Sequence, residues 1–255
     1  MAERTEEKKD KGEKKNSEYL YHYLSLKNLI LILKNKRLSF CNPSYWDDKN
    51  DSYFTKLALP EGKAFGVICF TKTRETCTHW KTFASKGIGV KITFMQNRLL
   101  DSLEKNIDQN EKILNSSVCY RARKNVLKAN VSGIGRCFTP LFLKKSAYIG
   151  EKEYRVVCMV DACACGYGKV VRQVEIPLSC ISRITISPYV NKKVANDVIK
   201  LLREYIELLT IDGEKTLNIE IKRSTMMYDE EWQRVGRKLK KIVMNEECAN
   251  EEDVG

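Results

Sequence analysis

Apolar positions along this chain recur with two different periods, and the alternation between them sets out the expected elements. Residues 18–25 read as a short aromatic strand, Glu-Tyr-Leu-Tyr-His-Tyr-Leu-Ser. Leu26, Leu29, Ile30 and Leu33 then fall at i, i+3, i+4 and i+7, a single helical stripe, and Ser25 ahead of them is a good N-cap for a helix over 26–36. Period-two or buried runs predict strands over 37–41, 65–70, 90–94, 153–160, 170–176, 183–186 and 216–221. Helices are predicted for a short piece around Trp80, Phe83 and Ala84, and for 96–115, 119–130, 191–209 and 229–244. The 191–209 helix has the broadest apolar face, built on Val194, Val198, Leu201, Leu202, Tyr205, Leu208 and Leu209. Residues 44–63 read as loop, and 138–142 as extended. No repeat and no Pro- or Gly-rich linker interrupts the order, so the expectation is one α+β domain over 18–244.

Charge refines those limits. The chain has 255 residues and a formal net charge of +12. Residues 1–17 mix both signs without apolar periodicity, and 245–255 are acidic, so both stretches are expected to be disordered charged tails. Residues 19–245 hold 39 basic against 22 acidic residues, net +17. A body this basic attracts polyanions, which speaks of partners and not of fold. The longest apolar run, 29–33, is far short of a membrane span, and no secretory signal is visible, so a soluble cytoplasmic protein with no membrane partner is expected. The ten cysteines lack the paired spacing of a zinc site and read as reduced thiols.

Several chemistries are missing from the motifs. There is no phosphate-binding glycine loop, dinucleotide fingerprint or nucleophile elbow. Only His22 and His79 could supply an imidazole. His22 lies between Tyr21 and Tyr23 on the first strand: either a polar edge residue, or a neutral imidazole bonding a ribose hydroxyl while the flanking rings stack on a base. His79 is read as structural. Glu151 and Glu153 share one face of a strand with Arg155, which suits a strand-end ion pair or a carboxylate aimed at a sugar C1–N bond. Asp47, Asp48 and Asp51 form an acidic loop cluster, read as solvated and only secondarily as a nuclease metal site.

The runs YHYLSLKNLILILKNKRLSF, NPSYWDD, ICFTKTRETCTHWKTFASKGIGVKITF, FLKKSAYIGEKEYRVV and IEIKRST, in that order over residues 19–225, resemble a bacterial family of unknown function. That family typically reads Tyr-x-Tyr-Thr-Ser, Asn-Asp-x-x-Glu, Ser-Phe-Ser, Trp-x-x-Tyr-Ala and Glu-x-Glu-Trp-Arg. The arrangement is in turn similar to ADP-ribosyltransferase-like folds of the DarT and PARP type. The resemblance implies an α+β split of two small mixed sheets with flanking helices, and NAD as substrate. It implies His22 as the NAD anchor, Thr71 at the Ser/Thr place and Glu153 as the catalytic glutamate. Tyr21, Tyr23, Ser25, Trp80, Glu151 and Arg155 would line the cofactor side. This chain departs from the pattern at Leu24, at Cys69-Phe70-Thr71 and at Asp47-Asp48.

What the resemblance implies about function is transfer of ADP-ribose to a macromolecule, or NAD hydrolysis, in a toxin or anti-phage defence effector. DNA or RNA would be the acceptor, and an antitoxin or defence-system protein a further partner. The alternative from another class is a non-catalytic nucleic-acid- or partner-binding module. It rests on the nine basic and two acidic residues from Arg121 to Arg155 and the five basic residues from Arg234 to Lys241, with Tyr120, Phe138 or Tyr148 available to stack bases.

Overall fold

A computed structural model describes residues 19–164, 168–211 and 217–252. The first strand, β1 (Tyr19–Ser25), runs directly into α1 (Leu26–Asn35), where Ser25 accepts a hydrogen bond from the Asn28 amide. Lys36 closes α1 in the left-handed conformation and turns the chain into β2 (Arg37–Cys41). After α2 (Lys49–Leu57) come β3 (Lys63–Thr71), α3 (Cys77–Phe83), β4 (Gly89–Met95) and α4 (Gln96–Lys105). The middle of the chain holds β5 (Lys112–Ser117), β6 (Cys119–Arg121), β7 (Leu143–Lys145) and β8 (Glu153–Asp161). It ends with β9 (Val170–Glu175), β10 (Ile181–Ile186), α5 (Lys192–Ile211), β11 (Glu220–Arg223) and α6 (Glu230–Glu252).

The architecture is mixed α+β: one large mixed sheet, a small parallel pair of β6 with β7, and flanking helices. The order along the large sheet is β11-β10-β4-β1-β3-β2-β9, with β8 and then β5 added on the far edge of β3. Pairing is very uneven. β3 and β8 match over nine residue pairs, and β1 and β4 over seven. On its other edge β3 meets β1 only at Tyr21–Thr71 and β2 only at Cys41–Val67. The expected split is thus present as a seam in one sheet and not as two separate sheets. Gly66 serves the second junction, because a Cβ there would come 2.6 Å from the Phe40 Cβ.

Side chains alternate across this sheet and divide the core. Leu20, Leu24, Ile68, Phe70, Ile92, Phe94 and Val156 face one side, where Leu29 and Leu33 of α1, Leu99 and Leu103 of α4, and Val198 and Leu202 of α5 cover them. Burying such side chains stabilises by about 1.5–3 kcal/mol each before entropy is charged against it. The opposite face carries two smaller clusters. Phe65, Val67 and Val157 pack with Leu141 and Phe142, while Tyr21 and Tyr23 pack with Trp80 and Ala84. Between them lies the polar end of β3 and β8.

Several expected segments differ. Residues 44–63 contain α2, capped by Asp48, which accepts from the Asn50 and Asp51 amides. The 96–115 helix ends at Lys105, and β5 follows because its backbone pairs with β8. Residues 119–130 are β6 and a 3-10 stretch (Arg123–Lys128), and the segment expected to be extended is a second one (Arg136–Phe142). The strand predicted over 216–221 is seen as β11 from Glu220, Thr216 lying outside the described residues. α6 continues past residue 244 to Glu252, and the predicted N-terminal tail lies outside the described residues.

Candidate active site

The register places three of the expected residues in one row. Tyr21 on β1 opposes Thr71 on β3, and Thr71 opposes Glu153 on β8. Directly opposed residues of antiparallel strands share a face, so this row lies on the side of the two smaller clusters. Cys69 and Arg155 form the next row on the same face.

Glu153 is 5% exposed. Arg155 donates to it twice, Nε to Oε1 at 2.7 Å and Nη2 to Oε2 at 3.1 Å, and Lys144 Nζ donates to Oε2 at 3.0 Å. Its own amide donates to Tyr120 Oη at 2.8 Å. Burial alone would raise the carboxyl pKa, but the Arg155 and Lys144 charges outweigh it and hold Glu153 at about 2. Arg155 is fully buried, with further bonds to Asp51 Oδ2 at 2.6 Å and Leu141 O at 2.8 Å, and its guanidinium lies 4.9 Å from the Trp46 ring centre. Asp51 Oδ1 is buried and has no hydrogen-bond partner.

Lys144 gathers the carboxylates. Besides Glu153 it meets Glu151 at 2.6 Å and Asp51 at 3.4 Å. Burial would lower its pKa, but these three acids reverse the direction and raise it. Glu151 is shifted upward, because burial outweighs its bond to Lys144. Three acids and two bases thus share the site, net −1 when all are ionised.

Thr71 is buried and its hydroxyl is committed locally. It donates to Glu151 O at 2.6 Å and accepts from the Thr73 amide at 3.1 Å. His22 takes another position. It alternates with Leu20 and Leu24 toward the main core, its ring 5.4 Å from Phe70. Its Nδ1 lies 2.9 Å from Cys69 O. Because a carbonyl only accepts, Nδ1 carries the proton; burial lowers the ring pKa, so His22 is neutral with an Nε2 lone pair. The bond falls on the edge of β3 between its single pairs with β2 and β1, so the imidazole replaces a missing ladder bond.

The remaining expected residues flank this row. Tyr23 stacks on His79 (5.4 Å, 24°) and meets Trp80 edge-on at 4.9 Å. His79 joins Thr76 Oγ1 through Nδ1 and Glu151 O through Nε2, tying α3 to the loop before β8. Trp80 is buried, its indole donating to Glu75 Oε1 at 2.7 Å. Ser25 caps α1 at the far end of β1 and is not part of the cluster. Sequence reasoning did not single out Lys144 or Glu75, named Cys69 only as a departure from the family pattern, and read Asp51 as solvated. Glu75 also receives Lys91 Nζ at 3.2 Å and the Ser224 hydroxyl. Two open hollows lie elsewhere, one beside Arg37, Arg172 and Glu175 and one between α5 and β11. Among the described residues no group of His, Cys, Asp and Glu fits a metal ion, and no helix is long and apolar enough to cross a membrane.

No protein-family model matches the chain, and no curated protein matches it either. Among solved structures, DarT from Thermus sp. 2.9 in complex with NAD+ aligns with 84% of this chain and 98% of its own, at 11% identity and a TM-score of 0.38. The same DarT in complex with ADP-ribosylated ssDNA aligns with 80% of this chain and 94% of its own, at 12% identity and a TM-score of 0.37.

Proposed function

We propose that this chain is an ADP-ribosyltransferase-like enzyme that takes NAD as its substrate. It breaks the bond between nicotinamide and ribose and passes ADP-ribose to a macromolecular acceptor or to water. The observation that carries this reading is the row Tyr21–Thr71–Glu153, which sets a buried, ionised carboxylate at the seam where β1 and β3 part.

When the C1–N bond breaks, its electron pair leaves on nicotinamide and positive charge develops on the ribose. A fixed carboxylate in a site of net charge −1 lowers the energy of that state, because the stabilising charge is already oriented. With a pKa of about 2, Glu153 is a weak proton acceptor, so its role here is electrostatic. Glu151, shifted upward by burial, is the better matched base for the acceptor's proton. Exposed Arg121, Arg123, Lys124, Arg136 and Lys145 lie in the segments leading to Lys144 and favour a polyanionic acceptor such as DNA or RNA.

The test incubates the chain with labelled NAD, with and without single-stranded DNA or RNA, and compares it with Glu153→Gln. Nicotinamide release and label transfer that depend on Glu153 are expected. Neither activity in the folded wild type, or equal activity in the variant, overturns the proposal. The same exposed basic residues favour a second reading, a non-catalytic polynucleotide-binding module. It predicts salt-steep binding that Glu153→Gln leaves unchanged.

A further inference from the structure

Glu153 has no acceptor capacity left for a substrate. A carboxylate offers about four lone-pair sites, and donors already take them: Arg155 Nε and Nη2, Lys144 Nζ and the Cys69 thiol. One of these has to yield before Glu153 can bond a ribose hydroxyl. Cys69 and Arg155 stand opposite each other on the β3–β8 ladder, and Arg155 is fully buried. Lys144 is held less firmly. It comes from β7, which pairs with β6 over three residue pairs in the small sheet, and residues 145–150 are all exposed. The Lys144 side chain is 12% exposed against 1% for Arg155. Its ammonium sits among Glu151, Glu153 and Asp51, 5.0 Å from the centre of the exposed Tyr148 ring. Carboxylates together with an aromatic face are the surroundings of a bound organic cation.

On the reading that NAD is the substrate of this site, we propose that Lys144 is its gating and specificity-determining residue. The Lys144 ammonium holds the place of the substrate's cationic nicotinamide end and withdraws when NAD binds. Charge decides which ligand can replace it. With Lys144 in place the three acids and two bases sum to −1; with its head withdrawn they sum to −2 in a buried place, which is costly. The positively charged ring of NAD restores −1, whereas the neutral ring of NADH does not. Tyr148, released from the ammonium, offers its ring face to the incoming cation. Withdrawal itself is inexpensive, because the long lysine stem can carry the head into water past the exposed segment that follows. Arg155 stays behind, so Glu153 remains ionised and oriented after the exchange.

Acetylation of the full chain with an amine-reactive ester, read lysine by lysine by mass spectrometry, tests the exchange without relying on turnover. In the free chain Lys144 should be protected relative to exposed Lys145. Saturating NAD should raise Lys144 labelling roughly tenfold as the withdrawn form takes over, and NADH should leave it unchanged. Lys144→Met keeps the stem and removes the ammonium, so calorimetry should find NAD bound about tenfold more tightly, the worth of one displaced charge-assisted hydrogen bond. A merely structural role would weaken binding instead. Unchanged far-ultraviolet circular dichroism shows that the variant is folded; the labelling of wild type decides the matter if it is not. A wild type that turns over NAD with Lys144 still protected overturns the gate, as does a folded Lys144→Met that binds NAD no better. Equal exposure of Lys144 by NADH overturns the selection by charge. If neither protein binds NAD, the reading of the site as an NAD site falls first and takes the gate with it.

Discussion

Arg155 stands two residues beyond Glu153 on β8, and its guanidinium bonds both oxygens of that carboxylate. Adjacent same-face positions on one strand thus supply a bidentate ion pair with little loop closure to hold it. The pair is closed to water, so each member depends on the other to be tolerated there.

Removing Arg155 should therefore be severe. Arg155→Met keeps much of the side-chain volume but leaves buried Glu153 and Asp51 to share Lys144, and about 3–5 kcal/mol of stability should be lost. Arg155→Lys should recover only part of it, because an ammonium cannot fork to Glu153 and Asp51 together. Denaturant unfolding of the three proteins measures the ranking, and a neutral Arg155→Met would refute the pairing.

Acid should expose the same pair. Glu153 has a folded pKa of about 2 against an ordinary value of 4.5. The unfolded chain therefore binds its proton first as pH falls. The stabilisation is complete above about pH 4.5 and drains away toward pH 2, on the order of 3 kcal/mol in all. Glu151, whose pKa is raised, works in the opposite sense and reduces the net slope. Stability measured from pH 6 to 2 should fall less steeply in Glu153→Gln than in wild type; parallel curves would count against the ionised carboxylate.

His22 offers a separate check. Its lowered pKa means that the unfolded chain takes up the proton first, so its contribution is lost as pH falls through the ordinary range near 6.5. His22→Phe keeps a ring against Phe70 but leaves Cys69 O without its donor, at a cost of about 1–3 kcal/mol. The variant should also lose that part of the pH dependence between 7 and 5, and an unchanged profile would contradict the neutral, hydrogen-bonded ring.

The pair Glu153 and Arg155 was legible because strand alternation fixes their shared face without knowledge of the fold; Glu151, expected on the same strand, instead ends a 3-10 stretch before β8, and left-handed Lys152 separates it from the strand. Asp51 was not legible, since its partner lies 104 residues away and only the docking of α2 onto this face brings the two together. Residues 112–115 read as the end of a helix because Lys-Ile-Leu-Asn has no decisive period; pairing with β8 makes them part of a strand. Ser25 was visible as a cap and is one, while its expected place at the cofactor side came from the family pattern. The row Tyr21–Thr71–Glu153 depends on strand register, which no local pattern carries.

Glu75 leads to one more expectation. It accepts from the Trp80 indole, the Lys91 ammonium and the Ser224 hydroxyl, and Lys91 is only 5% exposed. Glu75→Ala should cost about 2–4 kcal/mol, since it leaves Lys91 charged and buried. Lys91→Met in the Glu75→Ala background should recover part of that loss, a coupling that a double-mutant cycle reads directly. Strict additivity of the two changes would dismiss the pair.

The nine-pair ladder of β3 with β8 and the single pair of β3 with β1 belong to the same strand. Mechanically, this makes β3 a stiff blade on one edge and a hinge leaf on the other. Backbone pairing thus joins the β1–β4 part to the β8–β5 part through one row and the His22 bond, and side-chain packing does the rest, Phe70 meeting Phe94 across the seam at 5.8 Å within one continuous core. Amides along the β3–β8 ladder should then exchange hydrogen only on global unfolding, while those beside Tyr21 and Thr71 exchange through a far cheaper opening. At the seam, side chains and not the backbone ladder hold the sheet together.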